Sequence, residues 1–143
     1  MKRLKRLLPA ILVFAVMVCS LLFSACSCVS LAGSYQLQSI EYKKDGASTL
    51  IPAGEGEGYL PVDLVEVTFY SDGTIEMSTL LYSTDNVKEI VKGTWSNAGF
   101  ASVDVTLDGE TIKWTRLLNS VIFELPADDG SVMVIYLEKK SAV

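Results

Sequence analysis

The chain has no histidine among its 143 residues. That absence excludes a Ser-His-Asp or Cys-His nucleophile system and every zinc site built on imidazole. Cysteine is scarce as well: Cys19, Cys26 and Cys28 are the three, and nothing beyond residue 28 carries a thiol. The rest of the chain therefore has no disulfide and must stand on its core alone. Residues 29–143 are enough for one modest core, and one domain is the default at this length. Positive charge is thinly supplied in that region. Of the 12 Lys+Arg, Lys2, Arg3, Lys5 and Arg6 fall in the first 25 residues, which leaves 8 against 17 Asp+Glu and a net charge of −9. A phosphate backbone needs a basic face, so no nucleic-acid partner is expected. From Gly33 onward there is also no helix-length stretch with a 3.6-residue period.

What is present begins with a leader. Met1 to Arg6 is a basic stub, Leu7 to Phe23 is uncharged and almost wholly apolar, and Ser24, Ala25 and Cys26 follow. A basic start, an apolar middle and small residues at the end describe an export signal. The competing reading is an uncleaved anchor. The 17 apolar residues stand at the short end of the roughly 17–25 needed to span a bilayer, and Pro9 shortens the usable helix. In both readings the positive end stays in the cytoplasm and the rest lies outside. Leu22-Phe23-Ser24-Ala25-Cys26 resembles the lipobox of bacterial lipoproteins, an aliphatic residue, two small residues and a cysteine. Phe23 stands where leucine is usual. The resemblance implies that residues 1–25 are a lipoprotein signal peptide, and that Cys26 is the diacylglyceryl-modified first residue of the mature protein. Cys28 is a rival, but it would put Cys26 where a small residue normally sits. It is otherwise a passenger in the tether or a second acylation site. Residues 26–32 form that short tether, so the domain is expected to sit close to a membrane, facing outside the cytoplasm.

The pattern from 33 to 140 is one of short β-rich runs separated by turn signals. Eight are predicted: Gly33–Tyr42, Leu64–Ser71, Thr74–Tyr82, Val87–Ser96, Phe100–Leu107, Glu110–Leu117, Asn119–Leu125 and Ser131–Lys139. In the first, Tyr35, Leu37 and Ser39 share a face. In the second, Val65, Val67 and Phe69 alternate with Glu66, Thr68 and Tyr70. Asp72-Gly73 and Asp108-Gly109 read as two-residue hairpin turns, and Asp129-Gly130 ends a further turn. The last seven runs are joined by connections short enough for antiparallel neighbours. Such a meander closes into an up-and-down barrel or folds into a sandwich. Closure removes exposed strand edges, so the barrel is the favoured prediction. One long connection, Lys43–Asp63, carries Gly46, Pro52, Gly54, Gly56, Gly58 and Pro61 around Glu55 and Glu57; such loops are lids, binding loops or mobile segments.

Several of these runs resemble bacterial lipocalin-like domains: Gly33-Ser-Tyr35-Gln-Leu37-Gln-Ser39 their opening strand, Phe69-Tyr-Ser-Asp72-Gly73-Thr their first hairpin, Gly93-Thr-Trp95 their middle strand, and Met133–Lys139 their closing strand. Larger lipocalins open with Gly-x-Trp, where this chain has Tyr35. The resemblance spans nearly all of 31–140. It implies an all-β, eight-stranded antiparallel up-and-down barrel and a small or apolar ligand. The candidate ligand-binding residues are Tyr35, Trp95, Trp114 and Arg116. Against that, Tyr35, Phe69, Met77, Trp95, Trp114, Phe123 and Met133 are bulky, and in an interior as narrow as eight strands give, bulky residues fill. Arg116 falls in phase with Ile112 and Trp114. It would either pair with Glu89, stack on an aromatic or take an anionic head group, or simply lie at the rim in water. The acidic pairs Glu55/Glu57, Asp104/Asp108 and Asp128/Asp129 lack calcium-loop spacing and are read as turns.

Two functions remain. One is a membrane-anchored lipoprotein whose barrel binds a small or apolar ligand beneath the 43–63 loop. The other is a scaffold lipoprotein that engages an envelope protein. No convergent acid pair or activated nucleophile points to an enzyme. No metal or cofactor is expected, and the protein is expected to be a monomer.

Overall fold

A computed structural model describes Val13 and residues 30–141 of the chain. The expected signal segment 1–25 (Val13 apart), the lipidation candidate Cys26, its rival Cys28 and the first part of the expected tether lie outside the described residues. The chain divides into two units at Ser30, and the second, Leu31–Val143, is the folded domain.

Residues 30–141 form strands and turns only. The strands are β1 (Gly33–Lys44), β2 (Ala47–Pro52), β3 (Val65–Phe69), β4 (Thr74–Thr79), β5 (Glu89–Ser96), β6 (Ser102–Leu107), β7 (Glu110–Leu117), β8 (Ser120–Pro126) and β9 (Val132–Lys139). They pair in the order β2-β1-β3-β4-β5-β6-β7-β8-β9, and β1 also pairs with β9. Eight strands, β1 and β3–β9, thus close an antiparallel barrel, and β2 is a ninth strand outside the ring.

Period-two patterning builds the wall. Val65, Val67 and Phe69 of β3, Val103 and Val105 of β6, and Val121 and Phe123 of β8 are all buried, with more polar neighbours between them. Leu31 is already buried against this core.

Turn chemistry sorts into two kinds. Asp45-Gly46 and Asp108-Gly109 have positive φ at both residues and join Lys44 to Ala47 and Leu107 to Glu110 across two-residue hairpins. The Asp72-Gly73 turn differs from the two-residue expectation. Tyr70 and Thr74 pair, Gly73 N–H donates to the Tyr70 carbonyl at 3.1 Å, and Gly73 alone has positive φ. Three residues span that loop, as in a turn closed by a glycine bulge.

Three further expectations change. The long connection 43–63 is not all loop, because β1 runs on to Lys44 and turns back as β2. The inward phase of β1 does not hold through Ser39. The pairing with β9 slips between Leu37 and Ser39, so Gln38 is bulged, Tyr35 and Leu37 are buried before it, and Ile40 is buried after it. The bulge marks a change of neighbour as well. Below it β1 pairs with β3, at Gln38 its carbonyl accepts from Ala53 N–H (2.9 Å), and above it β1 pairs with β2. Finally, Ile112 is in phase with Trp114 but is 52% exposed, while Trp114 is 3% exposed. Strand β7 meets β8 only from Thr115 to Leu117, so Ile112 stands beyond the covered interior.

Candidate functional site

The interior is the place where a lipocalin-like barrel would hold a ligand, and aromatic rings occupy it. Tyr35 packs edge-on against Phe69 with centroids 5.4 Å apart. Phe69 in turn meets Trp95 and Trp114, each edge-on at 6.1 Å. Trp114 stacks on Phe123 at 4.2 Å with the planes 14° apart. These are favoured arrangements of aromatic pairs. The Trp114–Phe123 stack bridges β7 and β8, across the seam those strands leave open.

Polar groups in this interior are matched. Tyr35 Oη donates to the Leu31 carbonyl at 2.9 Å, and Trp95 Nε1–H donates to the Tyr70 carbonyl at 2.9 Å. Burial pushes the Tyr35 phenol up, with the Arg116 charge acting against it. Among the described residues, no buried side-chain nitrogen or oxygen lacks a hydrogen-bond partner.

The structure therefore brings Tyr35, Trp95 and Trp114 together, as sequence reasoning grouped them, but around Phe69 rather than around a space. Arg116 sits at the rim of this cluster, half-buried and near enough for its charge to act on Tyr35. Its Nη1 donates to the Gly99 carbonyl at 3.1 Å, and its backbone N–H donates to the Ala101 carbonyl at 2.8 Å. Glu89, the suggested partner, begins β5 at the opposite end of the barrel. Lys139 closes the same rim. Its side chain crosses Gly33 so closely that a Cβ there would come within 2.7 Å of Lys139 Cε, and its Nζ stands 6.0 Å from the centre of the Tyr35 ring.

Sequence reasoning missed the hairpin of β1 and β2. Asp129 pins it beside its turn: it accepts from Tyr42 Oη (3.0 Å), Lys44 Nζ (3.2 Å), Ser131 N–H (3.0 Å) and the Ser131 hydroxyl. The Ser131 bonds, then Lys44 and Tyr42, hold the Asp129 carboxyl far below the usual carboxylate range. On the next strand Tyr136 Oη donates to Glu41 at 2.9 Å, which raises the Tyr136 phenol. The outer side of β2 pairs with no strand. Ser48 and Leu50 alternate with the residues bonded to β1, so their backbone N–H and C=O groups point outward. Pro52 falls in the same outward phase, where its missing N–H costs no ladder bond, and its carbonyl accepts from Leu60 N–H at 2.9 Å. The available signal was Asp45-Gly46, the same turn dipeptide used elsewhere in the chain.

Among the described residues, no group of three or more His, Cys, Asp or Glu side chains is placed to hold a metal ion. The acidic residues serve turns and ion pairs instead. Burial pushes Glu66 up, but hydrogen bonds from Lys140 and Lys88 outweigh it and leave its carboxyl below the ordinary value. No protein-family model, no curated protein and no solved structure matches the chain.

Proposed function

We propose that the chain is a membrane-anchored, non-enzymatic lipoprotein of the cell envelope. In this reading Cys26 carries the lipid, the lipocalin-like barrel is a scaffold, and the β1–β2 hairpin engages a partner protein. The observation that carries the choice is the ring cluster of Tyr35, Phe69, Trp95, Trp114 and Phe123. A ligand in the barrel would have to displace Trp95 or Trp114 from contacts that hold the wall together. The hairpin needs no such rearrangement. Its free edge offers the backbone groups of Ser48 and Leu50, and adding a strand to an exposed edge is a common mode of recognition. Pro52 and the Leu60 bond limit that edge to a short stretch, which suits a defined partner better than open-ended strand pairing.

The test compares the full-length chain with Leu50→Asp, both purified from their own host's membranes with gentle cross-linking. Leu50 is 60% exposed, so the variant should unfold at the same temperature. The expected result is a stoichiometric envelope protein cross-linked to the wild type and absent from the variant. Native mass spectrometry of the same samples tests the other reading. A discrete added mass that leaves on denaturation, retained by Leu50→Asp, would favour a ligand in the barrel instead.

A further inference from the structure

All the strands present their ends to one of two poles. At the pole where the chain enters the barrel lie residues 30–32, the β3–β4 turn 70–73, the β5–β6 loop 97–101, the β7–β8 turn 118–119 and residues 140–141. Backbone bonds tie this pole together: Lys139 N–H to the Asn119 carbonyl (2.7 Å) and Lys140 N–H to the Ser34 carbonyl (2.8 Å). The other pole holds the β1–β2 turn, 53–64, 80–88, 108–109 and 127–131.

Charge divides unevenly between them. The far pole carries Asp45, three acids within 53–64, Asp85, Asp108 and the pair Asp128-Asp129, against Lys43, Lys44 and Lys88, of which Lys44 pairs with Asp129 and Lys88 with Asp63. The pole of entry has Arg116, Lys139 and Lys140 against Asp72, Asp104 and Glu138; Lys140 is paired with Glu66 and Asp104 with Lys113, so this pole is close to neutral. Large apolar side chains stand exposed there too: Phe100 at 74%, Leu118 at 77%, Leu117 at 55% and Tyr70 at 43%. Phe100, Leu117 and Leu118 line one shallow hollow with Arg116. An apolar patch with an arginine at its edge is the surface chemistry of a protein that sits on lipid. The stems of lysine and arginine lie along such a boundary while their heads reach the head groups.

We propose that this pole docks on an anionic lipid surface, with Phe100, Leu117 and Leu118 entering the head-group region and the acidic pole, hairpin included, turned away. The proposal rests on Cys26 being the lipid anchor. Leu31 is five residue steps from Cys26, and an extended chain covers at most roughly 3.6 Å per step, so this pole lies within about 18 Å of the head groups. At that distance a contact too weak to bind a free protein is made intramolecularly and holds. Anionic lipid repels the acidic far pole and not the near-neutral pole of entry, where Arg116 edges the apolar hollow, so charge sets which way the barrel points.

The experiment uses the full-length chain in a Cys28→Ser background, purified from membranes and reconstituted into vesicles of phosphatidylcholine and phosphatidylglycerol. One sample carries Leu118→Cys and another Ser48→Cys on the hairpin, each labelled with a polarity-sensitive fluorophore. Lipids brominated on the acyl chain are the quencher, and intact mass reports diacylglycerol on the chain. The expected result is quenching of the label at 118 and none at 48, with a loss of quenching when Phe100→Glu is added or phosphatidylglycerol is omitted. Phe100 is so exposed that its substitution should leave the unfolding temperature in place, which separates a docking effect from misfolding. Lipidated protein with neither label quenched overturns the docking and spares the anchor. A label at 118 that is blue-shifted but not quenched overturns it in favour of cover by protein, a second copy included. A chain without diacylglycerol removes the anchor and the proposal with it.

Discussion

At the scale of single residues, Gly93 shows how little room the wall leaves. A Cβ at this position would come within 1.9 Å of the Thr106 carbonyl oxygen, a backbone atom that cannot turn aside. Gly93→Ala should therefore force β5 from β6 and destabilise the fold by about 1–3 kcal/mol, the usual cost of overpacking. Urea unfolding monitored by tryptophan fluorescence would show it as a lower midpoint at unchanged slope. Gly93-Thr94-Trp95 was legible in the sequence as a motif, but the reason for its glycine was not, because the close neighbour belongs to another strand. Tyr35 gives a second case. Its alternation marked it as inward, yet the bond from its hydroxyl to Leu31 could not be read from spacing. Tyr35→Phe leaves that carbonyl without its donor, at a cost of about 1–3 kcal/mol, whereas Trp114→Ala should cost about 3–5 kcal/mol by opening the centre of the ring cluster. The ratio of the two, measured in the same denaturant series, reports how far the interior relies on packing.

Among the elements, two turns repeat one device. Tyr70-Ser-Asp72-Gly73-Thr74 and Ala127-Asp-Asp129-Gly130-Ser131 each place a glycine of positive φ after an aspartate, and each aspartate accepts from the backbone N–H and the hydroxyl two residues on. Asp129 goes further by gripping Lys44 and Tyr42 of the hairpin. A carboxyl held below its ordinary value contributes stability that is present above the unfolded value, near 3.9 for aspartate, and is lost as pH falls toward the folded one. Asp129→Ala should thus lower the unfolding temperature at neutral pH and flatten its decline below about pH 4, which a thermal series across acid pH would record. The aspartate-glycine signals of both turns were plain in the sequence. Strand β2 was not, for a physical reason: nearly all of Ala47–Pro52 is exposed, so it has no buried face and no alternation to betray it. Its glycine- and proline-rich continuation then made the whole span look like loop.

On the scale of the whole molecule, closure is unequal around the ring. Strands β8 and β9 pair over seven positions, but β7 and β8 over three, and the Trp114–Phe123 stack stands at that weaker seam. Hydrogen exchange should therefore release the amide of Lys113, which points into that seam, ahead of those of Ile112 and Trp114, which bond to β6; equal protection would show the seam to be as strong as the rest. The sequence by itself determined the class of the fold, the eight barrel strands, their antiparallel order and most inward residues. Period-two alternation and aspartate-glycine turns are properties of the local backbone, and so they are written in adjacent residues. Tertiary structure alone decided that the Gln38 bulge moves the inward phase from Ser39 to Ile40, that Trp114 is covered and Ile112 is not, and that four candidate residues form three packed rings and a rim arginine. It also decided that acids gather at one pole, and that Phe100, Leu117 and Leu118 come together with Arg116 at the other. Each of these depends on which distant strand lies alongside, and that is settled only when the ring closes.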